Sequence, residues 1–462
     1  MEGRDAPLGP YRATKLWNEV TTSFRIGMPL RKHRQHFKKY SNCFTAGEAV
    51  DWLYDLLRSN SNFGPEVTRQ QTIQLLRKFL KNHVIEDIKG KWGSENLDDN
   101  NQLFRFPATS PFKTLPQRHI EIRKNSTDKD GIFKLQNLSH KTPKKHGLQF
   151  SQENKEKINH ERIISEDQEN APENREISQE DIEEVWRYII MIYLRTILGV
   201  PSIEELINPN QIIPQYIMYN MANASKHGVV ILQDKSEDLP HWVLSAMKCL
   251  ANWPRSNDTN NLTYVGFERD VFKTVADYFL DLPEPLLTFE YYELFVNILG
   301  LLQPHLERVA ISALQLCCLL LPPPNRRKLQ LLMRMISRIS QNVDMPKLHE
   351  EIGTRSLMIH TFSRCVLCCT EEVDLDELLA SRLVSFLMDH HQEILQVPTY
   401  LQSAVEKHLD YIRKGHFQKE YPLIYQKRFP TAESEAALFD DKPTIKQPIL
   451  NFRNPKLHSL RY

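Results

Sequence analysis

The sequence predicts a mainly α protein in three parts: an N-terminal α/β block of winged-helix type, a polar linker, and an all-α helical bundle. Three observations carry that prediction. Capping boxes introduce successive helices ahead of a short alternating stretch near residue 100. Apolar density collapses after Pro107. It returns from Asp181 with helical periodicity and persists to about Leu395.

In the first block, residues 11–107, "TKLWNEVTTSF" is amphipathic and opens the fold. "TAGE" sets Thr45 as N-cap with Glu48 three residues on, and Val50, Leu53 and Leu57 then share one face. "TRQQ" repeats the device with Thr68 and Gln71 ahead of Ile73, Leu76 and Leu80. "VIEDI", a polar turn with Gly93, and "LFRF" read as a closing hairpin. Residues 108–179 lack the clustered apolar side chains that repay ordering entropy and read as a disordered linker. Within it Ser110 and Thr142 each precede a proline with a basic residue downstream, which makes them candidate phosphorylation sites.

The second block, 181–395, begins at a cap made by Ser178 and Asp181, and "VWRYIIMIYLRTIL" is apolar over most of its circumference, as a helix inside a bundle must be. "LPPPNRRKLQLLMRMISRI" starts a second long helix, with Asn325 as the expected N-cap and Leu329, Leu332, Met333 and Ile336 as its inward stripe. Residues 396–462 form an extension whose tail, "KPTIKQPILNFRNPKLHSLRY", holds five Lys/Arg and no acid.

The bulk numbers exclude more than they assign. In 462 residues of net charge +1, electrostatic partners must be sought in local clusters. Seven cysteines without framework spacing suit a reducing compartment, and no signal peptide or membrane span is expected, so the sequence reads as a protein of the cytosol or nucleus. Cys365, Cys368 and Cys369 with His360 lack a second ligand pair at structural-site spacing, and no metal or cofactor is expected. The clearest charge cluster is "LRKHRQHFKKY", where Arg31, Lys32, Arg34, Lys38 and Lys39 make a candidate surface for anions or an anionic membrane. No feature of "RQQTIQLLRKFLKNH" separates base readout from solvation, so no sequence-specific nucleic-acid binding is expected.

"NCFTAGEAVDWLYDLL" resembles the DEP family, whose aromatic, turn and Glu-x-Val-x-Trp-Leu pattern is met by Phe44, Glu48, Val50, Trp52 and Leu53. Trp52 and Phe44 are expected in the core. The resemblance places the basic cluster on an exposed hairpin arm. "IIPQYIMYNM", "YFLDLPEPLLTFEYYELF" and "LLLPPPNRRKLQLLMRMISRI" follow in the order of a Rho-GAP domain, which the second block resembles. That family supplies an arginine from a Gly-x-Phe-Arg loop to the transferring phosphoryl group, where a desolvated cation stabilises the spread negative charge.

Here the corresponding loop reads "KHGVVILQDKSEDLPHW", with Gly228 present and no arginine after it. Counting back from Leu282-Pro283-Glu284-Pro285, the family's Lys and Arg fall on Ala276 and Leu280, and its Asn on Ser356 or Leu357. Arg255 is the one arginine that suggests a displaced substitute. The expectation is a docking protein without catalysis, with an active GTPase activator using an atypical arginine as the alternative. Together the resemblances imply a cell-cycle-linked regulator in the nucleus and cytoplasm. The partners they imply are a Rho-family GTPase or its regulators, and a zinc-finger transcription factor in co-repression.

Overall fold

The computed structural model describes residues 8–35, 37–109, 112–115, 177–254, 264–370 and 374–413. Most of the linker lies outside these residues, as do Ser110, Thr142 and Arg255. In the N-terminal block α1 (Arg12–Gly27) leads into a hairpin of β1 (Arg31–Gln35) and β2 (Lys38–Thr45), then α2 (Ala46–Ser59), α3 (Arg69–Lys81), β3 (Glu86–Asp87) and β4 (Leu103–Arg105). The strands form an antiparallel sheet in the order β1-β2-β4-β3. Both expected capping boxes are present: Thr45 Oγ1 accepts from the Glu48 amide at 3.1 Å, and Thr68 Oγ1 from the Gln71 amide at 3.2 Å.

Phe24 on α1 gathers this core, with Phe44, Trp52, Phe79 and Phe106 all within 6 Å centroid to centroid. Phe44 is fully buried and Trp52 half-buried, both as expected for packing residues. Trp52 lies so close to Gly27 that a Cβ there would meet its indole at 2.4 Å, so the α1 terminus needs a residue without a side chain.

The helical block contains α4 (Gln179–Leu198), α5 (Pro214–Ala222), α6 (His241–Ala251), α7 (Phe267–Leu280), α8 (Tyr292–Leu299), α9 (Glu307–Leu320), α10 (Pro323–Gln341), α11 (Thr354–Val366), α12 (Asp376–Ile394) and α13 (Thr399–Arg413). Its centre is α9, whose Ala310, Leu314, Cys317, Cys318 and Leu320 are fully buried against α4, α5, α8 and α12. The expected stripe of α10, Leu329, Leu332, Met333 and Ile336, is wholly buried.

Two boundaries differ from the sequence reading. The helix α10 starts at Pro323 with Pro322 as N-cap, because proline at the first helical position is preorganised and has no amide to satisfy. Asn325 therefore sits inside the first turn, where its Nδ2 donates to the Leu286 carbonyl at 3.3 Å. Beyond residue 395, α13 continues the bundle by packing Leu401, Ala404 and Val405 toward α4.

The N-terminal and helical blocks belong to one compact unit. Gln71 Nε2 donates to Ser381 Oγ at 3.1 Å, Arg355 Nε reaches Glu66 at 3.0 Å, and Lys113 is ion-paired with Asp374. The Gly9 amide donates to Asn297 Oδ1 at 2.6 Å, which holds the chain ahead of α1 against α8. The N-terminal block thus rests on α8, α11 and α12, leaving the segment between α5 and α6 to other neighbours.

Candidate functional site

That segment is a small hairpin of its own. The Ser225 amide donates to the Val229 carbonyl at 2.8 Å, the Ile231 amide to the Asn223 carbonyl at 2.8 Å, and Ala224 bridges Val230. The reversal closes through Gly228, whose amide donates to the Ser225 carbonyl and whose φ of 75° is the left-handed conformation that favours glycine. Three side chains of α10 pin it. Gln330 accepts from the Val230 amide at 2.9 Å and donates to the Gly228 carbonyl at 2.7 Å. Arg327 donates to the Val230 carbonyl at 2.7 Å and to Asp238 at 2.7 Å, and Arg334 donates to the His227 carbonyl.

With Gly228 as the first residue of the Gly-x-Phe-Arg pattern, the arginine position falls on Ile231, which is 53% exposed. The sequence signal for it was the three-residue count from Gly228. On α7, Ala276 is 5% exposed and lies under its neighbours, while Leu280 one turn on is 47% exposed. The loop's continuation, α6, and α11, which carries Ser356 and Leu357, both pack on α7. The positions on α7 and α11 therefore belong to neighbouring helices, and none of Ile231, Ala276, Leu280, Ser356 or Leu357 is a cation or an amide.

The electrostatics beside α7 are opposite to what a phosphoryl group needs. A groove of about 380 Å³ between α6 and α7 is lined by Trp242, Thr274, Tyr278 and Leu282 with the carboxylates of Asp277 and Asp281, and by no cation among the described residues. Trp242 and Tyr278 meet edge to face at 5.8 Å. Burial, and then Asp238, raise the Tyr278 phenol, so it stays protonated. Arg327 of α10, which holds the Gly228 loop, is already committed to Val230 and Asp238.

The retained motif has a packing role. In Leu282-Pro283-Glu284-Pro285-Leu286, the Leu286 amide donates to the Cys365 carbonyl at 2.8 Å and the Leu287 amide to the Val366 carbonyl at 3.1 Å. The segment thereby locks α7 to the end of α11. Cys365 is buried there, and burial pushes its thiol up to about 12. Among the described residues no group of three His, Cys, Asp or Glu is arranged to hold a metal ion. No helix among them is long and apolar enough to cross a membrane.

The basic cluster is placed on the β1–β2 hairpin. Phe37 stands at its tip with φ 64° and 91% exposure, and the Arg34 guanidinium lies 5.8 Å from its ring. Arg34 faces Lys39 directly across the ladder, a like-charge pairing that costs stability in water. Arg31 is ion-paired with Glu48 at 3.4 Å, and Lys32, Arg34, Lys38 and Lys39 are exposed.

The fold and these segments define a regulator of the GTPase-signalling class. Residues 27–106 match the family described as "Domain found in Dishevelled, Egl-10, and Pleckstrin (DEP)", and residues 205–352 match "RhoGAP domain". The second match ends just before α11. The chain is 51% identical to mouse DEP domain-containing protein 1A and 49% identical to the human 1A protein, with the full length of each chain covered. It is 47% identical to human DEP domain-containing protein 1B, covering 97% of this chain and 96% of that one. The chain belongs to the DEP domain-containing protein 1 family.

Proposed function

We propose that the RhoGAP domain of this protein docks a Rho-family GTPase or one of its regulators without accelerating hydrolysis, while the DEP hairpin supplies weak contact with anionic membranes. The observation that carries the reading is the loop at Gly228: its backbone is held as a rigid presenting device, and the residue it presents is Ile231. An arginine in that role is worth about 10³–10⁵ in rate. The carboxylates of Asp277 and Asp281 beside α7 argue against another group replacing it.

The test is single-turnover GTP hydrolysis by Rho-, Rac- and Cdc42-type proteins with the full chain, alongside a binding measurement on the same pairs. The expected result is a rate within about tenfold of the intrinsic one, or 1.4 kcal/mol. An acceleration of about a hundredfold that Arg255→Ala removes would establish the alternative of an atypical arginine.

The same proposal extends to regulation. Phosphorylation of Ser110 or Thr142 in step with the cell cycle would add up to about two negative charges at each site. We propose a place in nucleus and cytoplasm, with peripheral contact at the plasma membrane, and a nuclear role in co-repression with a zinc-finger transcription factor as partner. Mass spectrometry of mitotic and interphase protein, and recovery of partners from nuclear extract, test these two points.

A further inference from the structure

Cations gather instead at a second place, beside the Gly228 loop. Where that loop crosses α10 and meets the end of α12, a cleft of about 640 Å³ opens. Lys226 and His227 come from the loop, Arg334 and Arg338 from α10, and His391 and Gln392 from α12. No carboxylate lines it among the described residues. The two acids of this part of α12 are engaged elsewhere, Asp389 with Arg355 at 2.9 Å and Glu393 with Arg308.

Arg334 and Arg338 lie four residues apart on one helix face, an arrangement of like charges that destabilises a helix unless something negative lies between them. Neither has an ion-pair partner among the described residues. Arg334 donates to the His227 carbonyl and Arg338 to Asn252 Oδ1 at 3.3 Å, so both remain fully charged donors with further N–H groups to offer. Burial lowers the proton affinity of Arg334, and neighbouring Arg338 lowers it further. Burial likewise lowers that of His391, with Arg334 acting in the same direction against the Met388 carbonyl. The volume is in the range of small-molecule sites and exceeds what a single phosphate fills.

We propose that this cleft binds a compact polyphosphate of the inositol phosphate type, either free or as the headgroup of a phosphoinositide. Guanidinium forks on a rigid helix match phosphate oxygens in pairs, and Lys226 closes over the ligand as a mobile point charge from the loop. Because Arg334 also holds the loop that presents Ile231, occupancy of the cleft stiffens the GTPase-facing side of the domain.

The experiment titrates the full chain with inositol hexakisphosphate, and separately with phosphatidylcholine vesicles containing phosphatidylinositol bisphosphate. The vesicle arm uses an Arg34→Glu, Lys38→Glu background, so that the DEP hairpin does not contribute. Saturable, salt-sensitive binding is expected, weakened about tenfold by Lys226→Gln and again by Arg338→Gln, the loss of one charge-assisted contact each. Both side chains are exposed, so the variants should melt like the parent, and a double variant that does so while losing binding supports the site. Binding of the soluble ligand assigns a free polyphosphate, and binding of vesicles alone assigns the lipid. No saturable binding in either arm, binding unchanged in the Lys226→Gln, Arg338→Gln double variant, or capture of a phosphopeptide in place of both probes overturns the proposal.

Discussion

Writing an arginine at position 231 tests the reading of the Gly228 loop from the gain side. Ile231 is half exposed, so Ile231→Arg disturbs little of the core, and its backbone is already fixed by the Val230 and Gly228 contacts with Gln330 and Arg327. The new guanidinium would arrive on a support that need not reorganise, the condition under which such a group stabilises a transition state. A complete finger is worth about 10³–10⁵, or roughly 4–7 kcal/mol.

Two features reduce that figure here. The supporting Lys and Arg are absent from Ala276 and Leu280, and the groove along α7 carries the carboxylates of Asp277 and Asp281 in place of cations. Restoring Lys at Ala276 would force a charge into a position that is closed to water, at a cost of several kcal/mol. Leu280→Arg is feasible because Leu280 is exposed.

We expect Ile231→Arg to raise single-turnover hydrolysis by about 10–100-fold over the parent chain, or roughly 1.4–2.7 kcal/mol, and Leu280→Arg to add to it. Binding of the GTPase is measured in the same samples. If Ile231→Arg binds as the parent does and leaves the rate unchanged, the loop does not present residue 231 to the nucleotide. If the parent binds none of the three GTPases, direct docking of a GTPase fails and a regulator is left as the partner to test.

Three further outcomes follow from the same structure. Gly27→Ala places a Cβ against the Trp52 indole and should destabilise the DEP core by about 1–3 kcal/mol in denaturant unfolding; an unchanged midpoint would show that the indole yields freely. Replacing Lys32 and Arg34 by Glu should remove most binding to phosphatidylserine vesicles at low salt, about 1 kcal/mol per cation, with Arg31→Glu adding less because Glu48 already neutralises it; equal binding by the triple variant defeats the membrane reading. His360, His391 and His408 all hold proton affinities lowered by burial, so the unfolded chain takes up protons first as pH falls below about 6.5. Stability is therefore lost as pH falls below about 6.5, and His360→Asn should flatten the melting profile there, since burial outweighs the opposing pull of Glu377 and Glu66.

Local signals made most of the fold legible. The caps at Thr45, Thr68 and Ser178 and the α10 stripe involve residues three or four apart, and their physics is complete within a single turn. The "TYLQSAVEKHLDYIR" stretch offered a similar stripe, but it follows a proline beyond the dense apolar region, and its partner α4 lies at the opposite end of the bundle sequence. Contacts between the blocks left no pattern to read. Glu66 with Arg355 and Gln71 with Ser381 are single polar pairs 289 and 310 positions apart, and each residue would look equally natural facing water.

The candidate site divides along the same line. Missing cations were visible because Gly228 and Leu282-Pro283 are fixed points from which positions can be counted. The cleft beside the loop had no such ruler, since Lys226, Arg334 and His391 become neighbours only when α10 draws the loop onto itself. Gln330 and Arg327 show why the shape of the loop does not depend on the residue it presents. They satisfy backbone groups of Gly228 and Val230 that would otherwise be stranded against α10, an obligation that persists whatever residue occupies position 231. Position 231 itself, half exposed and free of packing duty, is constrained only by what binds there. The backbone obligations of the loop and the identity of residue 231 are therefore separable, and hydrolysis and binding measured on the same Ile231→Arg samples read them apart.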